Sequence, residues 1–154
     1  MSEIIIRRAK PDDWQEFLKM SKEFYSSPAV LNDIDEGYHK NAFDEAMRSD
    51  DYLVLYIFDA DGEAAGFSML NKMFSHETGG LIVWIEELYV REKFRGHGLG
   101  SRLLEFVEQT HPAMRYRLET EPENERANKL YKRHGYQSLG YTQLFKDMDR
   151  LKTN

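Results

Sequence analysis

Cysteine is absent from the 154 residues, which excludes a disulfide scaffold, thiolate catalysis and thiolate metal sites, and fits a reducing compartment. Long apolar runs are absent too. Stretches such as Leu81 to Ile85 fall far short of the roughly 20 residues a spanning helix needs, so no membrane partner is expected. The opening residues place Arg7 and Arg8 behind the Ile4 to Ile6 triplet, the reverse of a secretory signal, and a cytoplasmic protein is expected. Positive charge is in short supply: 21 Lys and Arg against 27 Asp and Glu give a net charge of −6. That excess argues against a general nucleic-acid binder and favours cationic partners. The five histidines, His39, His76, His97, His111 and His134, show no i, i+4 pair and no shared motif with carboxylates, so no metal site is expected. Internal repeats and low-complexity segments are also lacking.

What remains is ordinary globular material. Hydrophobic residues make up 41% and charged residues 31%, with a mean hydropathy of −0.68, enough for a buried core under a solvated surface. The length suits a single domain over residues 1–154. Ile4 to Arg8 reads as a short strand, and Pro11-Asp12-Asp13 starts a helix in which Trp14, Phe17, Leu18, Ser21, Phe24 and Tyr25 recur at helical spacing. A more polar helix is predicted over Glu36 to Arg48. Tyr52 to Phe58, the turn Asp59 to Gly62, and Ala64 to Leu70 form a hairpin, with a loop over Asn71 to Gly80. Leu81 to Val90 is a long strand, followed by a helix from about Gly100 to Gln109, a strand at Tyr116 to Thr120, a helix from Asn124 to His134, and a last strand near Tyr141 to Met148. The order β-α-α-β-β-β-α-β-α-β implies an α/β protein with a mixed sheet.

Arg95-Gly96-His97-Gly98-Leu99-Gly100 lies between a strand and a helix whose apolar stripe is Leu99, Leu103, Phe106 and Val107. Glycines at alternate positions let backbone N–H groups approach a charged ligand at the positive helix end, and pyrophosphate is the natural guest. Arg91, Lys93, Arg95 and Arg102 add local positive charge. A dinucleotide-binding G-x-G-x-x-G is excluded because Ser101 stands three residues after Gly98, and no Gly-Lys-Ser/Thr of a P-loop occurs. The local pattern alone fits a ligand-free glycine turn equally well.

The wider pattern is more specific. Glu86-Glu87-Leu88-Tyr89-Val90, then Arg95 through Gly100 and Ser101, resembles the R/Q-x-x-G-x-G/A pyrophosphate loop of the GNAT superfamily of acetyl-CoA-dependent N-acetyltransferases. Asn124-x-x-Ala127-x-x-Leu130-Tyr131-x-x-x-Gly135-Tyr136 is similar to that family's second hallmark, and Arg8 to Asp13 resembles its entry into the first helix. The Glu-Glu-Leu-Tyr-Val strand end also looks like that of polyamine and diamine acetyltransferases.

The resemblance implies a GNAT-like fold with acetyl-CoA as cosubstrate and direct transfer to a primary amine; the acidic balance and the lack of a peptide-reading segment point to a small cationic one. It implies that Gly96, His97, Gly98, Leu99, Gly100 and Ser101 hold the pyrophosphate with Arg95, while the backbone of Leu88, Tyr89 and Val90 pairs with pantetheine. Asn124 would approach the pantetheine arm and Asn128 the phosphate region. Tyr131 would stand near the sulfur and protonate the leaving thiolate; on its spacing alone a core tyrosine is the better reading. Glu86 is the favoured base and Glu87 the second choice, since neighbouring strand residues face opposite sides and only one can face a given pocket; a solvated or arginine-paired strand end is the plainer reading. Asp33, Asp35 and Glu36 read as an exposed face, although the resemblance puts this segment beside the acceptor. A homodimer is compatible with the pattern, and a non-catalytic coenzyme A-binding sensor is the alternative.

Overall fold

The computed structural model describes residues 3–148. Its elements are β1 (Ile4–Arg8), α1 (Trp14–Tyr25), α2 (Glu36–Arg48), β2 (Leu53–Ala60), β3 (Glu63–Ser75), β4 (Gly80–Val90), α3 (Leu99–Thr110), β5 (Arg115–Arg117) and α4 (Glu125–Arg133). The sheet runs in the order β1-β2-β3-β4-β5, antiparallel except for the parallel β4–β5 pair.

Alternation along β2 shows how the sequence builds two layers on one sheet. Val54, Tyr56 and Phe58 point to one face, where Leu99, Leu103, Leu104 and Val107 of α3 cover them. Leu55 and Ile57 point to the other, against Phe17, Met20 and Phe24 of α1 and Phe43 of α2. Burying each such side chain contributes about 1.5–3 kcal/mol, so both helical layers are held mainly by apolar burial. Asp35 caps α2 by accepting the Gly37 N–H at 2.9 Å. Asp61 and Gly62, at φ 53° and 90°, make the tight β2–β3 turn, and Asp59 accepts the Gly62 N–H at 2.6 Å.

Three expectations need correction. Asn71 to Gly80 is not a loop: β3 runs to Ser75 and pairs with β4 through Phe74↔Leu81 and Ser75↔Gly80. Polar Asn71 and Lys72 break the alternation that marks a strand, but ladder pairing holds them extended. No strand forms near Tyr141 to Met148. Residues 137–148 are irregular and exposed, with side-chain ties from Tyr141 to Glu77 and from Gln143 to Glu119. Alternating apolar residues need a partner strand to become a ladder, and among the described residues none pairs with this segment. The strand at Tyr116 to Thr120 shrinks to Arg115–Arg117 for the same reason. Among the described residues no helix is long and apolar enough to cross a membrane.

Candidate active site

Pairing between β4 and β5 is confined to Ile82–Trp84 of β4, so beyond Trp84 the two parallel strands part. A groove of about 1290 Å³ opens there, lined by Ile85 to Val90 on one side and Leu118 to Glu121 on the other. β4 remains hydrogen-bonded to β3 along this stretch, which leaves its second backbone edge available to an extended ligand. Leu88, Tyr89 and Val90 all line the groove.

At one end of the groove the chain turns through Glu92–Phe94, anchored by buried Phe94, into the glycine loop. Gly96 and Gly98 have φ of 80° and 78°, the left-handed region that glycine enters without strain. Gly98 is also the N-cap of α3 and brings no side chain to satisfy the first-turn N–H groups. A Cβ on Gly98 would meet no protein atom within 4 Å, so the space beside this backbone lies open to a ligand. Gly100 differs: its Cβ would sit 2.8 Å from Leu130 Cδ2, so this glycine lets α4 close on α3. Leu99 is buried core, and Ser101 reaches both the groove and His134 Nε2, at 3.0 Å. His97 is exposed and its side chain is not in the groove lining, leaving only its backbone to the loop.

The local positive charge is distributed differently from the sequence reading. Arg91 pairs with Glu16 at 3.0 Å and Glu23 at 3.4 Å, Lys93 pairs with Glu63 at 2.6 Å, and Arg102 donates to the Ile4 carbonyl at 2.6 Å. Of those four only Arg95 lines the groove, donating to the Val90 carbonyl at 2.8 Å and lying over the Tyr89 ring. Arg126 and Arg133 of α4 join it, two residues that sequence reasoning passed over although Arg126 sits inside the second hallmark.

α4 supplies the opposite wall. Asn124 caps it by accepting the Ala127 N–H at 3.3 Å and also lines the groove. Asn128 does not line it: its amide donates to the carbonyls of Glu121 and Pro122 at 3.1 and 3.3 Å, bracing the approach to the helix. The assignment of Asn128 to a phosphate contact is therefore corrected, because its donor group is already used within the chain. Tyr131 lines the groove, half-buried, with its ring against Tyr136. Among the described residues its hydroxyl has no hydrogen-bond partner, and burial raises its pKa, keeping the phenol protonated.

At the far end stand the two carboxylates. Met69 pairs with Glu87 and Leu70 with Ile85, so Glu86 is an extra residue, a β-bulge that interrupts strict alternation. Val83 and Ile85 pack toward α3 before the bulge, and Leu88 and Val90 do so after it. Glu86 and Glu87 consequently both line the groove, which corrects the expectation that only one could. Glu87 is 7% exposed and accepts a 2.5 Å hydrogen bond from the Tyr25 hydroxyl. Burial above all, then repulsion from Glu86, push its pKa up to about 7 against the opposing Tyr25 bond. Glu86 is exposed along the groove yet crowded by protein, and this withdrawal from water raises its pKa, with Asn71 opposing and Glu119 adding to the rise. The openness limits the size of that effect. Asp33, Asp35 and Glu36 stay outside the groove: Asp33 and Asp35 accept local backbone N–H groups and Glu36 pairs with Lys22. Negative charge at this end comes instead from Glu86, Glu87 and Glu119, while Glu121 and Glu123 line the groove farther along toward α4.

A free strand edge running from a glycine-rich helix start to a pair of carboxylates defines a coenzyme A-dependent acyltransferase of mixed α/β architecture. The family signature described as Acetyltransferase (GNAT) family matches residues 14–136, and the chain belongs to that family, the acetyl-CoA-dependent N-acetyltransferases. It is 27% identical over 154 residues to the thialysine N-epsilon-acetyltransferase of Sus scrofa, covering 90% of this chain and 87% of that one. It is 29% identical over 138 residues to the uncharacterized N-acetyltransferase YhfO of Bacillus subtilis (strain 168), covering 86% and 89% respectively. Among solved structures, AAC(6')-Iy in complex with the bisubstrate analog CoA-S-monomethyl-acetylneamine superposes with a TM-score of 0.77 at 19% identity, covering 96% of this chain and 99% of that one, a likeness of fold.

Proposed function

We propose that the chain, as one domain, moves the acetyl group of acetyl-CoA directly to the primary amine of a small cationic molecule in a ternary complex. The observation that carries this reading is one continuous groove from the Gly96–Gly98 loop, along the free edge of β4, to Glu86 and Glu87. The residues fit acetyl-CoA, since open left-handed glycine backbone suits pyrophosphate and an unpaired strand edge suits an amide-bearing arm. Arg95 and the loop N–H groups hold the phosphates, and Leu88 to Val90 hold the arm. When bound, acetyl-CoA supplies an activated acyl group.

An alkyl ammonium with a pKa of about 10 must lose a proton before it attacks. Glu86, open to the groove, receives that proton directly or through a water, and Glu87 is the second candidate for the same task. Tyr131 keeps its proton until sulfur needs it and then donates it, so no covalent enzyme intermediate is required. Holding both substrates in one groove does much of the rest by proximity. Glu86, Glu87 and Glu119 at the acceptor end favour a cationic partner, and thialysine, named for the Sus scrofa relative, is an amine of that kind.

The test is thiol release from acetyl-CoA against a panel of polyamines, aminoglycosides, amino acids and peptides. Turnover is expected with small cationic amines. Acetyl-CoA binding by calorimetry with no thiol release on any amine would replace this reading with a sensor module.

A further inference from the structure

The buried polar side chains of the described residues are Ser21, His39, Ser68 and Glu87, and all four belong to one chain of contacts. Ser68 Oγ donates to the Glu87 carbonyl at 2.9 Å. Tyr25 Oη donates to Glu87 Oε2 at 2.5 Å. The Tyr25 ring stands edge-on to His39, with centroids 5.7 Å apart, and His39 Nδ1 meets Ser21 Oγ at 2.7 Å. Around them the layer is aromatic and aliphatic, built from Phe17, Phe24, Phe43 and Phe67. Burying polar groups is costly, and apolar side chains of similar shape would pack this layer as well.

Glu87 faces few charged groups. Tyr25 approaches from α1, Glu86 adjoins it on β4, the Ser68 hydroxyl of β3 donates to its backbone carbonyl, and His39 of α2 stands behind the Tyr25 ring. Burial lowers the pKa of His39 and keeps that ring neutral. Among the described residues no lysine, arginine or histidine pairs with Glu87. Among the described residues its second carboxyl oxygen accepts no hydrogen bond, and both Tyr25 and Glu87 line the groove. That oxygen is therefore free to accept from a cationic ligand entering the groove.

We propose that Tyr25 is a positioning residue of the acceptor site, fixing Glu87 through one carboxyl oxygen so that the other receives the acceptor's ammonium beside Glu86. The inference rests on the amine-acetyltransferase reading above. Glu87 then recognises the charged amine, while Glu86 is left free to take its proton.

Tyr25→Phe keeps the ring against Phe24 and His39 and removes only the donor. Without that bond Glu87 holds its proton to higher pH. Steady-state kinetics on the best amine of the panel should show an acceptor KM raised about tenfold near neutral pH, the worth of one charge-assisted hydrogen bond. The KM for acetyl-CoA should stay unchanged, and the acid limb of kcat/KM should move to higher pH. In a Glu87→Gln background the same substitution should add nothing to the acceptor KM, because glutamine still accepts from Tyr25 but has no carboxylate charge left to present to the ammonium. A loss equal at every pH, a loss shared with acetyl-CoA, or full additivity with Glu87→Gln overturns the inference. So does an unchanged profile in a variant with the wild-type unfolding midpoint. Absence of turnover by the wild-type protein on every amine overturns the functional reading itself, a separate and visible result.

Discussion

Replacing Glu87 by glutamine should stabilise the protein at alkaline pH and leave it nearly unchanged at acid pH. Glu87 is 7% exposed, and burial with the neighbouring Glu86 charge lifts its pKa from 4.5 to about 7 in the folded state. The unfolded chain releases this proton near the ordinary value while the folded chain keeps it, so between those two pH values the folded state binds more protons. Stability therefore falls as pH rises through that window. A rise from 4.5 to about 7, at about 1.4 kcal/mol per pH unit, sets an upper bound of about 3 kcal/mol on the cost of ionising Glu87. Glutamine keeps the shape and still accepts from Tyr25, but carries no charge to bury. Asp13, Asp50 and Asp59, whose pKa values arginine partners hold down, give the opposite slope. They do so equally in both proteins and cancel in the difference. Urea unfolding of wild type and variant on either side of the window, near pH 4 and above pH 8, measures that difference. The variant should gain about 2–3 kcal/mol at the higher pH relative to the lower. A difference that does not change with pH would refute the reasoning, because Glu87 would then ionise in the folded protein as it does in the unfolded chain.

Three further outcomes follow from the site. Gly98→Val forces a β-branched residue to φ 78°, at roughly 1–2 kcal/mol of strain, but meets no protein atom; the variant should fold and lose at least about tenfold in acetyl-CoA affinity by calorimetry. Tyr131→Phe should lower kcat by about one to three powers of ten with acetyl-CoA affinity intact, as suits a donor used in the transition state; full turnover would make Tyr131 a core residue. Glu86→Gln should depress kcat/KM most at neutral pH and least at alkaline pH, where more acceptor arrives deprotonated. A uniform loss would instead make Glu86 a binding group, and a large loss confined to Glu87→Gln would exchange their roles.

Local chemistry explains which elements could be read in advance. α2 follows the predicted Glu36 to Arg48 because Asp35 is a good cap and His39, Phe43 and Ala46 recur at helical spacing. The loop after β4 was legible because only glycine suits left-handed positions at a helix start. The extension of β3 to Ser75 was not, since Asn71 and Lys72 are held in a strand by their ladder partners Trp84 and Val83, which belong to the next strand and are no part of a local pattern. The charges of Arg91, Lys93 and Arg102 were equally opaque: their partners Glu16, Glu63 and Ile4 lie far away in sequence.

The carboxylate pair shows why a site can be half visible. Adjacent glutamates in an apolar strand announce themselves by type, since burying charge without purpose is costly. Alternation then assigns them to opposite faces, and from the strand alone no other conclusion is available. The bulge exists only in the register between two strands, where Leu70 meets Ile85 and Met69 meets Glu87, leaving Glu86 unmatched. One extra residue shifts the parity of everything after it, so Ile85 and Leu88 share the core face although they are three apart. The same extra residue comes just past Trp84, where β4 parts from β5. Opening of the groove and delivery of two carboxylates into it thus fall on one stretch of backbone. A substitution that restored regular pairing there would disturb both at once.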